Sequence, residues 1–136
     1  MSNKSYRLSL QSTFEESERI PDFVNELQDE CKLMDETAAK LMLLLSEAVT
    51  NAIIHGNKQI PNKKVEVFIE ITPQAITSTV SDEGDGFKPE EVTHDPLDDE
   101  NLLNVGGRGI FLLQELSDQI DFLDHGTKVR FVVQRG

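Results

Sequence analysis

Residues 41–56 read LMLLLSEAVTNAIIHG, and this stretch decides the fold. Three polar residues in it, Glu47, Asn51 and His55, are four apart each time, so they drift by only about 40° per step around a helix. They form a row at the edge of an apolar stripe, where a cleft can open beside the core. The stripe has the spacings of three and four that predict a buried helix face: Leu41, Leu44, Leu45, Ala48, Val49, Ala52 and Ile53.

The boundaries of this helix follow from the flanking residues. We expect it to begin near Asp35, which can act as N-cap, to run to His55, and to be followed by Gly56 as the C′ residue. The preceding residues, Glu15 to Met34, predict another helix. Its apolar residues also fall at spacings of three and four: Ile20, Phe23, Val24, Leu27, Cys31 and Met34.

Alternating apolar and polar residues predict five strands. They cover Tyr6–Ser12, Val65–Ile71, Ala75–Ser81, Ile120–Leu123 and Lys128–Gln134. A polar, acidic loop at residues 87–106 is interpreted as a mobile lid, and a third helix is expected from Ile110 to Leu116. The order β-α-α-β-β-loop-α-β-β predicts one domain over residues 1–136. Its fold class is an α/β sandwich with a mixed, mostly antiparallel sheet and helices on one face.

Composition excludes several classes of function. The chain has 136 residues and a formal net charge of −12, from 13 Lys and Arg against 25 Asp and Glu. Without a basic cluster, direct binding to nucleic acid or to an anionic membrane is not expected. The longest apolar stretch, Leu41–Ile54, contains Glu47 and is shorter than the ~20 residues that span a bilayer. A single cysteine, Cys31, and no apolar signal core after Met1 predict a cytoplasmic protein.

Two glycine-rich loops are candidates for ligand binding. Asp82-Glu83-Gly84-Asp85-Gly86 directly follows a strand; its Asp can accept hydrogen bonds from an amino group, and its glycines permit positive φ and close approach of a ligand. Gly106-Gly107-Arg108-Gly109-Ile110 precedes a helix, whose N-terminal N–H groups form an anion site. An EF-hand is excluded because position twelve counted from Asp82 is Thr93. The sequence has neither a Walker P-loop nor a Rossmann fingerprint.

Four motifs in order resemble the boxes of the GHKL ATPases, the superfamily of gyrase B, MutL and the histidine kinases. The likeness extends from Leu8 to Val133 and is greatest to the small bacterial anti-sigma-factor serine kinases of the RsbW and SpoIIAB type. It implies a histidine-kinase-like ATPase fold with a Bergerat-type nucleotide site. The motifs are Glu47-x-x-x-Asn51-Ala52-x-x-His55-Gly56, Asp82-x-Gly84-x-Gly86, Gly107-x-Gly109-Ile110 and Gly126-Thr127.

The resemblance implies ATP and Mg²⁺ as cofactors and a role for each motif. Asn51 would ligate Mg²⁺ through its amide oxygen, and Glu47, one helical turn earlier, would accept the proton of an attacking hydroxyl. Asp82 would bind the adenine amino group, with support from Thr127. The remaining contacts to the nucleotide would come from His55, Gly84, Gly86, Gly107, Arg108, Gly109 and Ile110.

The function implied is an ATP-dependent serine protein kinase and anti-sigma factor in a partner-switching system. It would phosphorylate a small STAS-type antagonist and sequester a sigma factor or a similar client. A homodimer is implied, with Arg19 contacting a partner. Two alternatives stay open: a catalytically inactive ATP-binding anti-sigma module, and a stand-alone regulatory ATPase with another client.

Overall fold

The computed structural model describes residues 3–58, 60–84, 113–124 and 127–135. It confirms the five strands close to their expected bounds: β1 Lys4–Gln11, β2 Lys64–Ile71, β3 Ala75–Ser81, β4 Gln119–Leu123 and β5 Lys128–Gln134. They form one sheet in the order β1-β2-β3-β5-β4. Every described pairing in it is antiparallel.

One face of the sheet carries the core. Side chains alternate across a strand, so every second residue of β2 points to this face, and the register places Val67 between Leu8 of β1 and Val80 of β3. The opposite face is polar and accessible, and there the Arg7 guanidinium lies 4.9 Å from the ring centre of Phe68. The expected arrangement with helices on one face is confirmed. The buried residues of β2 are Val65, Val67, Ile69 and Ile71.

The segment predicted as one helix from Glu15 to Met34 is two helices, so that prediction was wrong. A short helix, α1, covers Phe14–Ser17, and α2 covers Arg19–Cys31. Thr13 begins α1, because its Oγ1 accepts the main-chain N–H of Glu16 at 3.3 Å. This side-chain cap satisfies one of the N–H groups that a helix start leaves without a partner.

The end of α2 also differs from the expected apolar stripe. Lys32 follows the helix in the left-handed conformation, with φ of 55°. The chain turns there, so that Leu33 enters the core while Met34 is 63% exposed. The other predicted stripe residues face inward, three of them buried and two partly buried: Ile20, Val24, Leu27, Phe23 and Cys31.

The central helix, α3, covers Asp35–Asn51 and continues as a π turn over Ala52–Gly56. In this turn the N–H of Asn57 donates to the carbonyl of Ala52 at 2.8 Å, five residues back. Gly56 is therefore the last residue of the turn and not the C′ residue that we expected. The predicted core stripe of this helix is confirmed, since all seven of its residues are buried: Leu41, Leu44, Leu45, Ala48, Val49, Ala52 and Ile53.

The start of α3 corrects a second expectation. Met34, not Asp35, is the N-cap residue, and it makes no side-chain capping bond. The Asp35 carboxylate instead accepts a hydrogen bond from Nε2 of Gln28 at 2.8 Å. Asp35 thus connects α3 to α2 and still places negative charge at the positive end of the helix dipole.

The length argument against a membrane span does not hold for the whole helix. Asp35–Ile54 is 20 residues long and apolar enough, by length and composition, to cross a bilayer. Its packing gives the explanation: Leu41, Leu44 and Leu45 are buried inside the fold, and α3 packs against β3 and β5. The apolar composition is that of a core helix.

Candidate functional site

The C-terminal end of α3 meets the end of β3 at two glycines. A Cβ atom on Gly56 would lie 2.7 Å from Oδ1 of Asp82 and closer still to the rest of that carboxyl group. A Cβ on Gly84 would overlap the main-chain carbonyl of Gly56. Neither glycine has the positive φ that the sequence suggested for the loop, so close packing between these two segments is what favours glycine here.

Asp82 follows β3 directly and is held by main-chain contacts. Its N–H donates to the carbonyl of Thr127 at 2.8 Å, and its Oδ1 accepts the N–H of Gly84 at 2.8 Å. The Thr127 hydroxyl donates to the carbonyl of Asp124 at 2.8 Å. Thr127 therefore lies beside Asp82, in contact with it through the main chain.

The carboxyl group of Asp82 is partly buried, and this burial raises its pKa. The hydrogen bond from Gly84 and the positive charge of Lys63 act in the opposite direction and are the smaller effects. Desolvation disfavours the charged form of a carboxyl group. A raised pKa at a cleft is typical of binding and catalytic sites and also occurs in structural networks.

Glu47 and Asn51 lie one turn apart on α3, and both are partly buried. The Nδ2 atom of Asn51 is buried and has no hydrogen-bond partner in the described part of the chain. An unpaired buried amide donor is unfavourable by about 1–3 kcal/mol, so such a group calls for an explanation. The amide nitrogen of Asn51 is therefore not hydrogen-bonded to any of the described protein groups.

The magnesium ion that the resemblance implies would need few protein ligands at this edge. Among residues 3–58, 60–84, 113–124 and 127–135, no group of three or more His, Cys, Asp and Glu could hold a metal. Mg²⁺ in nucleotide sites usually keeps several waters and takes one or two protein oxygens together with phosphates. One amide oxygen from Asn51 is sufficient for that kind of coordination.

Asn57 is a site residue that the sequence analysis missed. It is fully buried, and its Oδ1 accepts the N–H of Glu83 at 2.7 Å. Its Nδ2 donates to Oγ of Ser12 at 2.8 Å and to the carbonyl of Lys64 at 3.0 Å. The only signal in the sequence is an asparagine directly after His55-Gly56, which is common where helices end.

Several predicted site residues lie outside the described residues. These are the residues of the second glycine loop and one glycine of the first, together with the expected lid at 87–106 and the side chain of His55. Of the predicted third helix, only residues 113–116 are described, and they are helical. The undescribed site residues are Gly86, Gly107, Arg108, Gly109 and Ile110.

Arg19, the expected partner contact, is the first residue of α2 and is exposed. Its Nη1 donates to the carbonyl of Ser9 at 3.3 Å and lies 3.4 Å from Oε1 of Glu16. These contacts set the guanidinium at the junction of β1 and α1. Its role in binding a partner stays a prediction.

Comparison with known proteins agrees with this geometry. Residues 10–133 match the family model described as histidine kinase-like ATPase domain. The chain is 29% identical over 119 residues to the anti-sigma F factor of Oceanobacillus iheyensis, which covers 85% of this chain and 79% of that protein. It is 38% identical over 84 residues to the serine-protein kinase RsbW of Staphylococcus aureus, which covers 57% of this chain.

The match to the Staphylococcus aureus kinase spans only about half of that protein, 53% of its length. The family model, in contrast, extends over nearly the whole chain and includes α3, Asp82 and Thr127. The antiparallel pairing of the described strands and the helices on one face fit the histidine-kinase-like ATPase fold that the resemblance implies. From the matched family model, the chain belongs to the histidine kinase-like ATPase domain family.

Proposed function

We propose that this protein is an ATP-dependent serine protein kinase and anti-sigma factor that works by partner switching. The observation that carries the proposal is the contact between Gly56 and Asp82. It joins the end of the helix that bears Glu47 and Asn51 to a partly buried carboxylate after β3. The residues proposed to act as base and metal ligand thus lie on a helix that directly contacts the residue proposed to bind adenine.

Asp82 is the proposed adenine contact. Its carboxylate would accept a hydrogen bond from the exocyclic 6-amino group, which guanine does not carry at that position. The bond from the Asp82 N–H to the Thr127 carbonyl and the bond from the Gly84 N–H to Oδ1 of Asp82 fix the position and rotation of Asp82 before a nucleotide binds. Such preorganisation raises affinity because less freedom is lost on binding.

Asn51 is the proposed metal ligand. In this role its amide oxygen would hold Mg²⁺, which shields the negative charge of the phosphates. This shielding matters in a chain whose formal net charge is −12. Lys58 follows the π turn in the left-handed conformation, with φ of 52°, and is exposed. Together with Arg108, it is the proposed source of positive charge for the phosphates.

Glu47 is the proposed general base. Its carboxylate would take the proton from a serine hydroxyl of the protein substrate. The serine oxygen then forms a bond to the γ-phosphorus, the bond from that phosphorus to the β,γ-bridging oxygen breaks, and ADP leaves with the electron pair. The products are a phosphoserine on the substrate, ADP and a proton on Glu47.

The partners are inferred from the names of the relatives. One of them is an anti-sigma F factor and the other a serine-protein kinase. For this chain we infer a sigma factor or similar client, and a small STAS-type antagonist as phosphorylation substrate. A cytoplasmic homodimer that does not bind nucleic acid or membranes completes the proposal.

Phosphoryl transfer tests the proposed kinase activity. The protein is incubated with Mg-ATP labelled on the γ-phosphate and with the antagonist that co-purifies from the native cell. Glu47→Gln keeps the size of the side chain and removes the base, so transfer should fall by about 100-fold or more while ATP affinity is retained. Glu36→Gln, at an exposed position in the first turn of α3, should transfer at the wild-type rate.

The outcomes separate the candidate functions. No transfer by wild-type protein that binds ATP would support a catalytically inactive binding module. ATP hydrolysis without transfer to a sigma-pathway partner would support a regulatory ATPase with another client. Transfer by Glu47→Gln at the wild-type rate would show that Glu47 is not the base.

A further inference from the structure

We infer that Asn57 is a positioning residue for the adenine-binding loop, and that selectivity for the 6-amino group depends on it. This inference rests on the proposed function, because it assigns Asp82 to adenine. Asn57 follows the helical segment that carries Glu47, Asn51 and His55. It contacts the loop that begins with Asp82 directly, through the N–H of Glu83. Asn57 itself touches the loop and not the nucleotide.

The Asn57 side chain connects three segments that are distant in the sequence. Its Oδ1 accepts the N–H of Glu83, the residue after Asp82, at 2.7 Å. Its Nδ2 donates to Ser12, at the end of β1, and to the carbonyl of Lys64, at the start of β2. The Ser12 hydroxyl donates in turn to the carbonyl of Lys63 at 2.7 Å.

This network is buried and well satisfied. Asn57 and Ser12 are both fully buried, and the Asn57 amide uses its oxygen once and its nitrogen twice. A satisfied network in a low-dielectric interior is rigid, because breaking one bond leaves a buried polar group without a partner. The Asn57 amide therefore has a fixed position, and it fixes the position of any group that is bonded to it.

The group bonded to the Asn57 oxygen is the peptide group between Asp82 and Glu83. The Asp82 N–H is bound to the Thr127 carbonyl, and the Glu83 N–H is bound to Asn57. The main chain is thus fixed on both sides of the Asp82 Cα, and Gly84 fixes the carboxylate itself. Removing the Asn57 amide frees one side, so the carboxylate loses its defined direction toward a ligand.

The Glu83 side chain adds a second bond between the same loop and β2. Its Oε2 accepts the main-chain N–H of Lys64, whose carbonyl accepts from Asn57. The exposed Glu83 is therefore bonded to β2 through its side chain as well as to Asn57 through its main chain. Both contacts hold Glu83, the residue after Asp82; the one to Asn57 is partly buried and the one to Lys64 is exposed.

The test compares two nucleotides that differ only in the group that Asp82 would bind. Calorimetry in Mg²⁺ measures the affinity for ATP and for purine riboside triphosphate, which lacks the 6-amino group. Wild-type protein should prefer ATP by about tenfold or more, the range for a hydrogen bond to a charged group. Asn57→Ala should reduce this preference to within about twofold, and so should Asp82→Ala. The double variant should lose no more, because both act through one contact.

Ser12→Ala is the matched control for a merely structural role. It removes one of the two acceptors of the Asn57 Nδ2 and leaves the bond to Glu83, so it should lower stability and keep the preference for ATP. If Ser12→Ala loses the preference as fully as Asn57→Ala, selectivity follows stability and the inference is overturned. Binding by Asn57→Ala with the wild-type preference overturns it as well. If wild-type protein binds neither nucleotide, the proposed function itself fails.

Hydrogen exchange on wild-type protein tests the inference without a variant. The Glu83 amide should exchange slowly in the free protein, because its N–H is bound to a buried oxygen. ATP should slow that exchange further than purine riboside triphosphate does at equal saturation. Fast exchange in the free protein, or equal exchange with the two nucleotides, would overturn the positioning role even if Asn57→Ala does not fold.

Discussion

Gly56 lies against the carboxyl group of Asp82 so closely that no side chain fits between them: a Cβ at position 56 would fall 2.7 Å from Oδ1 and nearer to Cγ and Oδ2. The two residues are 26 positions apart, and their contact joins α3 to the loop after β3. The end of the helix that carries the polar row and the loop carboxylate are therefore in direct contact, with no room for a side chain at position 56.

Gly56→Ala should destabilise the protein. A glycine-to-alanine change inside a helix normally stabilises by about 0.5–1 kcal/mol, but here the new methyl group would overlap Asp82. We expect a loss of about 1–3 kcal/mol in the free energy of unfolding, as for other overpacked sites. Urea unfolding measures it. The control is the reverse change at an exposed position of α3, Ala39→Gly, which should destabilise only by the difference in helix propensity between alanine and glycine. If Gly56→Ala were more stable than wild type, the close contact between Gly56 and Asp82 would be contradicted.

Asn51→Ala should separate stability from metal-dependent binding. Its Nδ2 is buried without a partner in the described residues, so removing the amide should leave the free energy of unfolding within about 1 kcal/mol of wild type. The affinity for ATP in Mg²⁺ should fall to the value measured without Mg²⁺. Calorimetry with and without the metal gives both values. Thr50→Ala, at the neighbouring position, should keep the metal-dependent part, and equal binding by Asn51→Ala would remove Asn51 from the metal site.

The pH dependence of stability should reveal the partly buried carboxyl group of Asp82. Burial raises its pKa in the folded protein above the ~3.9 of an unfolded chain. Between these two pKa values the folded state binds more protons than the unfolded state, so stability falls as pH rises through that window. Unfolding of wild type and Asp82→Asn is compared from about pH 4 upward, where Asn stands for the uncharged form. Wild type should lose stability relative to the variant as pH rises, and the opposite trend would show that the carboxylate is stabilised by its partners.

Arg19→Ala should weaken the complex with the proposed client and leave the fold intact. The side chain is exposed, and its ion pair with Glu16 is a surface pair, so stability should change by less than about 0.5 kcal/mol. Binding to the client is measured by titration in ATP. Arg7→Ala, on the polar face of the sheet, is the matched control and should bind as wild type does. An equal loss in both variants would point to general electrostatic attraction instead of a contact at Arg19.

Local patterns in the sequence determined most of the architecture. Alternation with a period of two identified β2, β3 and β5, and spacings of three and four identified the buried face of α3. These patterns are reliable because each reflects one face of a strand or helix whose apolar side chains become buried on folding. The order of the motifs also identified the family. The Glu47–Asn51 pair could be chosen because polar residues at the rim of an apolar stripe stand out, and Asp82 because it directly follows a strand and begins a glycine-rich loop.

Only the tertiary structure decided how these pieces touch. The sequence could not show that Gly56 is required by Asp82, because a glycine needed for packing and one needed for positive φ read alike. Nor could it show that α2 ends early and turns Leu33 inward, since Met34 continues the same helical spacing. Asn57 gave the weakest signal of all. Its importance lies in three hydrogen-bond partners from three other segments, and contacts between residues so far apart along the chain exist only after folding.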